Sequence, residues 1–136
     1  VNDGAIKSKR LHLRPFPQAH SQLAPLIAGH AVNPMNQARL SEIALTSLAQ
    51  AYAQQSGYDP IAVQEHNLVH LCGPALAQKL LQDTPRFQDE GLTQFSDETK
   101  RQLIQQYSAL LPNPYAQEIV DWLEDLYLFD PACLTD

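Results

Sequence analysis

His66 and His70 stand four apart in a stretch that reads as a helix, so their imidazoles share one face and can together hold one Zn2+ or another transition ion. Glu65 projects about 100 degrees away from His66 on the same helix. The zinc-protease order places a Glu directly after the first His, and here Asn67 occupies that place. A metal site on this pair therefore needs another base and at least one more ligand, drawn from His12, His20, His30, an acid or Cys72. The competing interpretation is ordinary packed or surface histidine. Cys72 falls at the C-terminal end of the same helix, where the dipole opposes a thiolate, and it reads as a buried small hydrophobe. Cys133 lies in an acidic tail that opposes a thiolate as well. Asp121 and Asp125 are one turn apart and can bind a hard cation. The neighbouring Glu118, Glu124 and Asp130 make that whole face acidic, which favours a solvated face or one that meets a basic partner.

A second chemistry is base reading. Residues 49 to 67 resemble a helix-turn-helix, with Ala53, Gly57 and Val63 as its small residue, turn glycine and inward apolar residue. Ser56 departs from that pattern. Gln64, His66 and Asn67 would face base edges, but the same helix carries no Arg or Lys for phosphates. The formal net charge of -6 also sets the average field against a nucleic-acid backbone. Glycine-rich phosphate loops, dinucleotide fingerprints, serine nucleophile elbows and zinc-deaminase patterns are absent from the sequence.

Charge is divided between the ends. Lys7, Lys9, Arg10 and Arg14 lie near the start, whereas residues 102 to 136 hold six acids and no Lys or Arg. The arm is expected to pair with the acidic final helix, in the same chain or a neighbour, with binding to a phosphate polymer as the alternative. The expected partner-binding set is Lys7, Lys9, Arg10, Arg14, Glu118, Asp121, Trp122 and Asp125, with a protein partner or homo-oligomer as the occupant. No stretch reaches the roughly eighteen apolar residues of a membrane span, and no secretory signal opens the chain. Two cysteines define no disulfide framework. A cytoplasmic setting is expected, with secreted or periplasmic settings left open, and the opening Val1 suggests a processed form or part of something longer.

The elements that must position these residues are helical. Leu and Ala dominate the apolar set, and Val and Ile are not gathered into alternating runs. Residues 1–17 read as a flexible or extended basic arm, with Leu11 to Phe16 able to form one short strand. Residues 18–136 read as a single helical domain. Within it, a short helix is predicted from 18 to Gly29. Asn33-Pro34 then caps a long helix ending at Ser56-Gly57, and Asp59-Pro60 opens a central helix closed by Gly73-Pro74. Apolar residues 61, 68, 69 and 72 are assigned to the core side of the central helix, away from Val63, His66 and His70. Pro74 opens a helix closed by Asp83, Thr84 and Pro85. A loop over 84–95 is anchored by Phe87, Leu92 and Phe95, and Ser96 caps the next helix. Asn113-Pro114 opens the last, whose stripe Tyr115, Ile119, Trp122, Leu126 and Phe129 runs to Asp130-Pro131.

The sequence thus predicts an all-α domain of five or six helices, orthogonal or bundle-like, with an extended N-terminal arm. Its leading functional expectation is a protein-interaction or regulatory module without catalysis or cofactor. The alternatives are a metal-dependent enzyme or metal-binding module centred on His66 and His70, and DNA binding through residues 49 to 67.

Overall fold

In a computed structural model that describes residues 9–127, five helices are formed: α1 (Ala38–Gln54), α2 (Pro60–Cys72), α3 (Pro74–Pro85), α4 (Asp97–Ser108) and α5 (Pro114–Leu123). They make an all-α bundle preceded by an extended region with one 3-10 turn, and no β-strand occurs among the described residues. No helix there is long and apolar enough to cross a membrane.

Three helix starts follow local capping as predicted. The Asp59 carboxylate accepts from the amides of Ile61 and Ala62, the Ser96 hydroxyl from Thr99, and the Asn113 amide oxygen from Tyr115 and Ala116. Proline follows the cap of α2 and of α5, where its missing donor costs nothing. Gly73 joins α2 to α3 at φ +80, a conformation that an L side chain adopts only with strain.

The start of α1 differs. Asn33-Pro34 caps nothing, and the helix begins at Ala38 after Gln37, whose side chain makes no capping bond. Instead the Glu118 carboxylate of α5 accepts from the backbone amides of Arg39 and Leu40, each at 2.9 Å. The cap is tertiary, so local spacing misplaced it. The helix predicted over 18–29 contracts to a 3-10 turn, Gln18–Gln22. Pro25 interrupts any continuation, and Leu26 and Ile27 stay exposed, so no core draws the segment into a helix.

Two other elements are also set by tertiary contacts. On α2, Leu68 and Cys72 are buried as expected, but Ile61 and Val69 are exposed and Val63 is buried. The face turns because Asn67 points inward, exchanging two hydrogen bonds with Gln50 of α1 at 3.1 and 2.7 Å. Helix α5 stops at Leu123 rather than continuing through Leu126. Asp125 takes φ +59, and the Leu126 amide donates back to the Asp121 carbonyl, which closes the end as a left-handed cap. Phe129, Asp130-Pro131 and Cys133 lie outside the described residues, as does Lys7.

The core joins the arm to all five helices. Leu11 and Leu13 are fully buried with Leu40, Leu68, Leu80, Leu103 and Ile119. Phe87, Phe95, Tyr107 and Trp122 form an aromatic cluster, with Phe87 edge-on to Trp122 at 5.2 Å. Phe87, Leu92 and Phe95 therefore anchor the 86–95 connection as the sequence predicts.

Candidate functional site

A cleft of about 530 Å³ lies between the arm and α1. Its floor is the extended backbone from Arg10 to Pro17. Its walls are His20, the segment Val32 to Gln37, the first turns of α1 at Ser41, Ala44 and Leu45, and Gln88.

The arm is extended because its donors are satisfied by side chains and turns instead of a sheet. The Leu11 amide donates to the Phe87 carbonyl at 3.1 Å, and Gln88 Oε1 accepts from both Leu13 and Arg14 at 3.0 Å. Further along, the Phe16 amide donates to Ser47 Oγ at 2.9 Å, and its carbonyl accepts from the Tyr58 hydroxyl at 2.8 Å. The facing segment is tied on by the His12 amide, which donates to Met35 Sδ, and by Ser41 Oγ, which donates to the Gln37 carbonyl. Beside the cleft, Phe16 lies edge-on to His20, His20 stacks on His30, and His30 Nδ1 meets the Tyr52 hydroxyl.

Apart from the Ser41 hydroxyl, the polar lining is guanidinium, imidazole and carboxamide: Arg10, Arg14, His12, His20, Asn33, Asn36, Gln37 and Gln88. No Asp or Glu belongs to the described lining. Asp89 lies just outside and forms a two-point pair with Arg14 at 2.6 and 2.5 Å. Its hydrogen bonds from the guanidinium hold the Asp89 carboxyl below the usual carboxylate range.

Arg14 thus pairs with Asp89 rather than with the final helix. The acids of that helix are engaged elsewhere within the chain: Glu118 on the α1 amides and Asp125 with Lys100 at 3.0 Å. Asp121 accepts from Gln117, and Trp122 is only 1% exposed. Lys9 and Arg10 are half-buried.

His66 and His70 are exposed on α2, their rings stacked at 6.0 Å. Among the described residues, no group of three or more His, Cys, Asp and Glu side chains is placed to hold a metal ion. Burial pushes the Cys72 thiol up to about 12, with the Glu42 charge adding to it, so it is no nucleophile near neutrality. Of the base-reading trio, Gln64 is half-buried and His66 exposed, while Asn67 is buried against Gln50.

The sequence pattern marks His12, His20 and His30 only as further metal ligands and Asn33-Pro34 only as a cap. The signal that could have marked them is the stretch from 30 to 37, polar and proline-containing with no helical period, lying between an apolar arm and a long helix.

With the fold a helical bundle and the site an apolar cleft ringed by amides and imidazoles, comparison with known proteins adds the family. The family model for beta-N-acetylglucosaminidase (NAGidase) matches residues 1–84, more than half of the chain. The chain belongs to that family. Neither the curated proteins nor the solved structures searched gave a match.

Proposed function

We propose that this chain is the binding part of an N-acetylglucosaminide site, contributing recognition groups but no catalytic acid, and that it works by docking against a portion that carries the carboxylates. The observation behind this reading is positional: every residue lining the cleft except Gln88 lies within the stretch matched to the family. The cleft volume is also within the roughly 300–1,000 Å³ typical of small-molecule sites.

The chemistry suits an acetamido sugar. Asn36 and His20 offer donors and acceptors for hydroxyls and an acetamide. Phe16, Pro34, Met35 and Leu45 offer apolar surface for the acetyl methyl and the sugar's C–H face. Most glycosidases cleave with two carboxyl groups flanking the bond, roughly 5–9.5 Å apart. The described lining offers cationic and neutral groups instead, which complement an acidic partner surface. Val32 is exposed at the cleft wall, and Leu26 and Ile27 are exposed upstream of it, so the three provide an apolar surface for the same docking.

Titration of the ¹⁵N-labelled chain with N-acetylglucosamine, followed by amide chemical shifts, tests the reading. Shifts concentrated at 10–17, 33–45 and 88, with no turnover of a chromogenic β-N-acetylglucosaminide by the chain alone, are expected. Binding elsewhere, or hydrolysis by this chain without a partner, would overturn it.

A further inference from the structure

We propose that Glu118 is a positioning residue for the cleft, setting the wall formed by residues 33–37 from the opposite end of the chain. This rests on the sugar-binding reading above for its ligand, though not for its geometry.

Helix α1 begins without local help. Gln37 makes no side-chain cap, and no acid lies in the first turn. Exposed N-terminal amides ordinarily need a nearby acceptor, and a carboxylate there also meets the positive end of the helix dipole. Glu118 fills both roles with its two oxygens, one on Arg39 and one on Leu40. The Glu118 backbone is fixed in α5 between the buried Ala116, Ile119 and Val120, so the carboxylate reports the position of α5 to α1. Immediately upstream of the clamped amides, the chain turns into Asn33 to Gln37, and Ser41 Oγ holds the Gln37 carbonyl at 2.8 Å. A shift of α1 at its first turn therefore moves the cleft wall.

The floor has an equivalent device, since Gln88 accepts from two successive arm amides. Both Gln88 and Glu118 lie beyond the stretch matched to the family, which ends at residue 84. Residues beyond the matched stretch thus brace both sides of the cleft.

The test compares wild type, E118Q and D59A. Glu118→Gln keeps the size but turns one oxygen into a donor facing an amide. Asp59→Ala removes the cap of α2, which does not line the cleft. Affinity for N-acetylglucosamine is read by titration well below each melting temperature, and exchange and shifts are read at the amides of 33–40. E118Q should speed exchange at Arg39 and Leu40, move the shifts of 33–37 and weaken binding roughly tenfold, about the worth of one good polar contact. D59A should lower stability and leave binding and those amides unchanged. Unchanged affinity in a folded E118Q, or equal loss in D59A, overturns the proposal. If wild type does not bind the sugar, the functional reading falls, and the shifts of 33–37 alone decide this inference: movement supports it and stillness sinks it. Should E118Q fail to fold, Glu118→Asp, which keeps the charge and shortens the reach, replaces it under the same criteria.

Discussion

Replacing Asp83 by Ala should be among the most destabilising single changes in this chain. Asp83 sits near the end of α3 with its side chain only 10% exposed, and three groups converge on it. Tyr107 of α4 donates its hydroxyl at 2.9 Å, Lys79 approaches at 3.0 Å and Arg86 at 3.7 Å. Tyr107 is itself fully buried, and burial together with the Asp83 charge pushes its phenol far above the ordinary tyrosine range. Losing a hydrogen bond to a charged group costs about 1.5–3 kcal/mol, and stranding a buried hydroxyl adds about 1–3 kcal/mol. Lys79 limits the damage, because its ammonium keeps Gln106 at 2.6 Å and the Tyr107 ring at 4.8 Å. The expected loss for D83A is therefore about 3–4 kcal/mol, a large share of a domain stability of roughly 5–15 kcal/mol.

Tyr107→Phe should cost less, about 1–2 kcal/mol, since Lys79 and Arg86 continue to neutralise Asp83. Urea unfolding followed in parallel by far-UV circular dichroism and Trp122 fluorescence measures both, with equal slopes required for comparison. The double variant completes a cycle, and a coupling above about 1 kcal/mol is expected for two groups in direct contact. A D83A cost below about 1 kcal/mol, or additivity in the cycle, would show that the buried bond adds little and that apolar packing and the Lys79 contacts hold α3 to α4. The consequence reaches the cleft, because α3 leads directly into the turn that carries Gln88.

Other outcomes follow from the same contacts. In a C133S background, Cys72 should resist a thiol reagent at pH 8 in the native protein and react once unfolded. Because its folded value is raised to about 12 from 9.0, the folded state holds the proton longer, so this contribution is complete below pH 9 and declines as pH rises toward 12. Asp89 has the opposite sign: its lowered carboxyl favours the folded arm above the unfolded value near 3.8, and that preference is lost as pH falls through the folded value. D89N should abolish the acid-dependent shift of the Arg14 amide in an NMR titration, with little change in melting temperature because the pair is exposed and screened. H66A and H70A should each change stability by less than about 0.5 kcal/mol, and tag-free protein should carry no stoichiometric metal by elemental analysis.

Helix existence was legible wherever the instruction was local. Asp59, Ser96 and Asn113 each sit two or three residues from the amides they accept, so the sequence alone carries the whole interaction. Errors arose where the deciding partner was far along the chain. The α1 start is set by Glu118, some 79 positions away, and the inward face of α2 by Gln50, 17 positions away. An acid on an amphipathic helix looks the same whether it meets solvent or another helix's amides. The cleft was illegible for a related reason. Its lining comes from an arm, an irregular segment, one helix and one turn, none of which has a periodic signature linking it to the others.

The buried polar residues show why that irregular segment holds its place without a helix or sheet of its own. Among the described residues, Ser21, Gln37, Ser41, Ser47, Asn67, Asp83 and Thr84 are the buried polar set. Gln37, Ser41 and Ser47 lie at or within the start and middle of α1, facing the arm and the cleft. Ser47 Oγ both accepts from the Phe16 amide and donates to the Ala44 carbonyl, and Ser41 Oγ reaches the carbonyls of Met35 and Gln37. Extended backbone packed against an apolar helix would leave amides and carbonyls unpaired at about 1–3 kcal/mol each. Small hydroxyls on the helix surface remove that cost while allowing the close approach that larger polar side chains would block. Replacing Ser47 by Ala, which removes the hydroxyl and adds no bulk, should therefore release the arm near Phe16 while α1 stays helical. Increased amide exchange at Phe16, with unchanged helical circular dichroism, is the expected result. Unaltered protection at Phe16 would mean that the Tyr58 hydroxyl and ring packing suffice to hold the arm.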